Sequence, residues 1–207
     1  MKRILSLYLL SIGLLCSFQS SAQTRYLTQG LYSFAWDITV PLNNKDFISR
    51  TSTYGAKVEG RYFINPHFSV GGEINWSSLY EYTPQATYSF DQLAVTTDLY
   101  RYMYNLPFAV NAHYYLSTDQ MIMPYAGLAL GGMYSEQEIY FNIYSLQDNS
   151  WSFLVRPEAG ALIKFGHDSQ AAALIGVRYS YASGERTEFN ISKIKTLSFQ
   201  LGIALLN

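Results

Sequence analysis

Lys57, Glu59 and Arg61 follow one another at every second position, and Arg156 and Glu158 do the same. In an extended chain successive side chains point to opposite sides, so a spacing of two keeps each set on one face. Asp37, Glu73, Arg101, Lys164 and Arg178 fall in the matching phase of other alternating stretches, which makes six cations and four anions in all. A set of one sign would steer a charged ligand, whereas mixed signs predict groups that pair with each other. Other chemistry is missing from the pattern. His67, His113 and His167 lie far apart without metal-ligand spacing, and there is neither a phosphate-cradling glycine loop nor a nucleophile elbow. We therefore expect no catalytic residue, no metal, no cofactor and no enzymatic activity.

The elements that must carry these charges are strands. The chain has 207 residues with only 14% charged, 16% aromatic and 19 tyrosines, and its mean hydropathy is −0.01. That composition excludes a disordered or nucleic-acid-coating chain. Residues 1–22 read as a secretory signal: a basic start at Lys2 and Arg3, an apolar run from Ile4 to Phe18, and Ser20-Ser21-Ala22 as the cleavage site. The run is too short to span a bilayer as a helix. Leu15 before Cys16 argues against lipidation of that cysteine, the only one in the chain. The mature domain is then 23–207, with 12 basic against 15 acidic residues once Lys2 and Arg3 are gone. That balance is too even to favour a polyanion, so no nucleic-acid partner is expected.

Period-two alternation predicts eight strands, at about 29–40, 51–64, 68–80, 98–116, 121–134, 151–165, 170–182 and 193–206. Connections alternate in length. Asn65-Pro66-His67, Ser117 to Gln120 and Gly166 to Ser169 are tight turns, while Leu42–Arg50, Glu81–Thr97, Glu136–Ser150 and Ser183–Ser192 are longer polar links. Short turns at one end and long loops at the other is the layout of an all-β, eight-stranded antiparallel up-and-down transmembrane barrel, with both termini periplasmic.

Alternation alone leaves open a soluble lipocalin-like barrel or a sandwich, either of which would put the apolar face inside. Two features favour the membrane reading. The polar face is rich in Gly and Ala, among them Gly71, Gly127, Gly131 and Gly202, which suits a narrow lumen; and aromatics on the apolar face gather at segment ends, as girdles do. Leu154 and Leu162 break the polar phase of the sixth strand, and Pro107, Pro124 and Pro157 predict bulges or strand ends. The turn near Gly166 predicts Arg156 opposite Arg178, with Glu158 bridging them, and Glu73 opposite Lys57 or Glu59. Eight strands leave room only for side chains, so we expect a plugged, salt-bridged lumen.

The piece from Asn105-Leu106-Pro107-Phe108 to His113-Tyr114-Tyr115-Leu116, then Pro124-Tyr125-Ala126-Gly127 to Gly131-Gly132, resembles paired strands of the small outer-membrane barrels related to the OmpA transmembrane domain, OmpX and OmpW. The resemblance covers nearly the whole mature chain, though the end Ala204-Leu205-Leu206-Asn207 lacks the family's terminal aromatic. It implies a monomer in the Gram-negative outer membrane, in contact with lipid and lipopolysaccharide and inserted by the barrel-insertion machinery. Its role would be envelope structure, surface contact or limited permeation. The alternatives are a narrow porin-like transporter of small or apolar solutes, or a lipid A-modifying enzyme, since His67-Phe68-Ser69 is similar to the His-x-Ser of lipid A deacylases. Glu81, Asp91, Asp98, Glu136 and Glu138 around the long links would be solvated, or would hold a divalent cation that bridges lipopolysaccharide.

Overall fold

The computed structural model describes residues 30–90, 93–142, 144–166, 169–184 and 188–207. The expected signal at 1–22, together with His167 and Asp168, lies outside the described residues. Eight strands form one closed antiparallel barrel in chain order: β1 Gly30–Pro41, β2 Tyr54–Asn65, β3 Phe68–Phe90, β4 Leu93–Tyr115, β5 Ile122–Phe141, β6 Tyr144–Lys164, β7 Ala171–Gly184 and β8 Lys193–Leu206. Closure runs through β1 and β8, with Leu31 opposite Leu206 and Pro41 opposite Thr196.

The faces are inverted relative to a water-soluble protein. Tyr54, Tyr62, Ile74, Trp76, Val110, Phe153 and Leu201 lie exposed on the outside, while Asp37, Lys57, Glu59 and Arg178 are among the most buried residues in the chain. Only a hydrocarbon solvent makes that arrangement stable, and in such a solvent an open sheet edge would strand backbone donors at several kcal/mol each. The closed ring removes the edges.

Strand length divides the barrel in two. β1, β2, β7 and β8 have 12–14 residues, but β3 to β6 have 20–23. Within the links expected as loops at Glu81–Thr97 and Glu136–Ser150, the strands continue and pair up to Phe90–Leu93 and Phe141–Tyr144. Beyond the membrane both faces of these hairpins meet water, so the apolar alternation fades there although the tyrosines and threonines still favour strand. Asn142, at φ 54°, makes the sharp return that asparagine tolerates.

The prolines produce gaps instead of bulges. β3–β4 pairing is interrupted between Ile74–Phe108 and Ser77–Asn105, at Pro107, and β6–β7 pairing between Val155–Tyr181 and Glu158–Arg178, at Pro157; the register is the same on both sides of each gap. Each proline withholds its missing N–H from one neighbour and stays paired with the other, Pro107 with Met133 and Pro157 with Leu128. Pro124 lies near the start of β5. The bulges occur elsewhere, at Phe63/Asn65 and at Thr83/Ala86, beside Pro84.

Candidate functional site: a charge layer between two apolar clusters

The buried side chains form three layers. Toward the short-turn end, Leu31, Phe63, Tyr115, Met123, Leu162 and Leu174 belong to one buried apolar cluster. Toward the other end, Ile48, Leu79, Met103, Met133, Leu154 and Ile194 belong to a second, and Phe47 and Phe189 close over it with rings 5.4 Å apart. The link after β1 folds inward to supply Ile48, and its backbone donors at Ser49 and Arg50 are held by the Glu81 carboxylate. Leu154 and Leu162, which break the polar phase of β6, therefore belong to these clusters, one in each.

Between the clusters lie four carboxylates and four permanent cations. The Lys57 ammonium sits between Glu59 at 3.1 Å and Glu158 at 3.2 Å, and also donates to Gln200 Oε1 at 3.3 Å. Arg61 pairs with Glu59 at 2.6 Å and lies over the rings of Tyr115 and Tyr125, at the boundary of the short-turn-end cluster. Arg156 pairs with Glu73 at 2.7 Å and donates through Nε to Ser180. Arg178 pairs with Asp37 at 2.5 Å, and Asp37 also accepts from Asn75 and Gln200. His113 stacks on Tyr125 with its Nε2 3.6 Å from Glu158. Every charge has a partner of opposite sign, the condition under which ions survive burial.

The register of β6 and β7 differs from the expected one. Glu158 is opposite Arg178, and Arg156 reaches Ser180, so the two arginines do not face each other. Each guanidinium is neutralised from across the lumen, by Glu73 and Asp37, and Glu158 is paired to Lys57 instead of bridging them. Arg101 and Lys164 stand outside the layer: both are only half-buried, Arg101 donating to Thr83 Oγ1 and Lys164 to the Thr118 carbonyl. Uncharged members were missed. Asn75, Asn111, His113, Ser180 and Gln200 share the inward phase with the charges, and that phase was the available signal.

Chemistry that needs a reactive constellation finds little support. Glu59, His113 and Glu158 present ligand atoms within 4.8 Å of one another, the one such group among the described residues. Lys57 bonds both of those carboxylates, so its ammonium already supplies the positive charge that a metal would bring. His67 and Ser69 do not act together: His67 Nδ1 bonds the Tyr115 carbonyl at 2.9 Å, whereas Ser69 is fully buried opposite His113.

A match to the family described as outer membrane protein beta-barrel domain extends over residues 6–205. The chain belongs to that family. It is accordingly an outer-membrane protein, and the oily exterior described above is its lipid face. No curated protein matches the sequence at a significant level. Among solved structures, the barrel is similar to Ail, the attachment invasion locus protein of Yersinia pestis, with TM-score 0.50 and 12% identity over 87% of this chain and 99% of that one. It is also similar to the outer membrane protease OmpT from Escherichia coli, with TM-score 0.52 and 5% identity over 91% of this chain and 100% of that one. Identities this low speak for the fold alone.

Proposed function

We propose that this barrel is closed to solutes and acts at the cell surface, through the sheet that β3 to β6 raise beyond the membrane. The observation that carries the reading is the contrast between the two regions. The lumen holds paired charges between two apolar clusters, while four strands continue well past the last residues that β2 and β7 pair with, Ser78 on β3 and Ser152 on β6. An ion crossing the lumen would have to displace paired groups and pass two layers of Leu, Ile and Met. Beyond Ser78, β3 has backbone pairing only with β4, and before Ser152, β6 only with β5. The raised sheet thus offers two free edges and two faces to a partner. The name of the similar protein Ail, an attachment protein, is in keeping with this role; that of OmpT, a protease, is a reminder that the fold serves several.

A narrow transporter is the second reading. It is favoured by the lumen atoms that lack a protein partner, including Arg61 Nε, Arg178 Nε and the Gln137 amide, which a passing polar solute would satisfy. Single-channel recording in planar bilayers separates the two. The closed reading predicts no sustained conductance, and a persistent open state would overturn it.

A further inference from the structure

The outward face of the raised sheet is paved with tyrosines. Tyr102 is the hub: its ring lies 5.0 Å from Tyr80, 6.0 Å from Tyr104 at 2° between planes, and 5.9 Å edge-on from Tyr140. Tyr82 and Tyr100 continue the pavement at 5.0 Å. The patch lies beyond the tryptophan level. Trp36, Ala56 and Trp76 are aligned across β1 to β3, and Leu106, Tyr134 and Trp151 across β4 to β6. Phe68 to Trp76 already provides about the 9–11 residues that a tilted strand needs to cross the hydrocarbon. Tyr80, Tyr82, Tyr100 and Tyr140 therefore stand in the aqueous layer above it.

Charge on this sheet is one-sided. Among its described residues Glu81, Asp98, Glu136, Glu138 and Asp148 are acidic and Arg101 is the one cation, although the whole chain is nearly neutral at −1. Asp98, Glu136 and Glu138 share the tyrosine face, whereas Glu81 is opposite Arg101 and Asp148 opposite the buried Gln137. Arg101 is on the opposite face, bonded to Thr83. On the tyrosine face Glu138 accepts from the Tyr140 hydroxyl and Glu136 from Gln147, both at 2.6 Å, which fixes the two carboxylates among the rings. The field is felt by the phenols: the Asp98 carboxylate, after partial desolvation, helps raise Tyr100 above its ordinary range.

We infer that this tyrosine face is the docking surface for an arginine-bearing segment of a partner protein. The inference rests on the surface-contact reading above and names the chemistry of the partner. Planar rings beside carboxylates match guanidinium, which stacks on an aromatic face while it forks to a carboxylate; the compact lysine ammonium does only part of this. An anionic partner is repelled. A divalent cation is disfavoured because no three acidic groups converge on this face among the described residues.

The test is fluorescence anisotropy of a labelled oligo-arginine peptide titrated with the full barrel in phosphatidylcholine nanodiscs. Saturable binding is expected, with oligo-lysine of equal length weaker by several-fold. E136Q/E138Q and Tyr102→Ala should each weaken it about tenfold, whereas Tyr102→Phe, which keeps the ring, should not. D46N/D119N, charge-matched and away from this face, should bind like the parent. Unboiled electrophoretic mobility checks that each variant is folded. Equal affinity for oligo-lysine, equal loss in D46N/D119N, preference for a neutral oligosaccharide, or no peptide binding at all would each overturn the inference. None of these results bears on conductance, so the closed-lumen reading stands or falls separately.

Discussion

Glu59 on β2 and Glu73 on β3 stand directly opposite each other in the ladder, two buried carboxylates in cross-strand contact. Such a pair repels, and the repulsion is strong away from water. Asn111 of β4 reconciles them by donating from one amide nitrogen to both, at 3.2 and 3.3 Å, while Arg61 and Arg156 neutralise them from either side. Asn111→Asp should therefore be among the most damaging isosteric changes in the barrel. It replaces the shared donor with a third carboxylate, at a cost of about 3–5 kcal/mol, the scale of an uncompensated buried charge. Urea unfolding in micelles should show the loss at neutral pH and partial recovery in acid, where the introduced carboxyl takes up a proton and can donate again. A variant as stable as the parent at neutral pH would remove Asn111 from this role.

Lys57 makes a different kind of prediction, because its ammonium bonds both carboxylates of the Glu59, His113 and Glu158 group. Lys57→Ala should destabilise the barrel by about 3–5 kcal/mol by leaving two carboxylates with too little positive charge. It also leaves Glu158, His113 and Glu59, the last still paired to Arg61, with ligand atoms within 4.8 Å and no ammonium between the carboxylates. Refolding in zinc should then raise the unfolding midpoint of the variant and leave that of the parent unchanged. Equal response of the two proteins would show that the ammonium does not take the place of a cation.

These partners show which parts of the site were legible before the structure. Strand parity was: Lys57, Glu59 and Arg61 point inward together because a spacing of two admits no other outcome within one strand. Pairing was not. Arg156 meets Ser180 rather than Arg178 because the β6–β7 register is displaced by two residues from the expected one. A two-residue slip keeps every side chain on its own face, so the hydrophobic pattern is blind to it and the turn and Pro157 decide. The raised hairpins were hidden for a related reason, since a sheet wet on both faces has no buried side to mark its period. The apolar cluster at the long-strand end was half-visible in Leu154; Ile48, from a polar link, gave no sign.

His113 has its place because residue 127, its partner across the β4–β5 ladder, is glycine. A Cβ there would collide with imidazole Cδ2 and Nε2. The ring has no easy retreat, lying against Tyr125 on one side and Glu158 on the other. Gly127→Ala should cost about 1–3 kcal/mol by overpacking. The double variant Gly127→Ala/His113→Ala should recover part of that loss, since it removes the object of the collision. Additive losses in the urea midpoints would place the strain elsewhere.

Tyr140 stands near the tip of the β5–β6 hairpin, with its hydroxyl 2.6 Å from Glu138, and that hydrogen bond is the main reason its ionisation is pushed up to about 12 from the ordinary 10. The raised direction fixes the sign. The contact supports the hairpin fully below about pH 10, where the phenol is neutral in folded and unfolded chains alike, and is lost as pH climbs through about 12. Spectrophotometric titration should therefore show one fewer late-titrating phenol in Tyr140→Phe than in the parent. Glu138→Gln should return that phenol toward 10, because the hydroxyl then faces an uncharged acceptor instead of a carboxylate. If Tyr140→Phe and the parent show the same number of late phenols, the assignment is wrong, and the Glu138 carboxylate is not held among the rings as the docking inference requires.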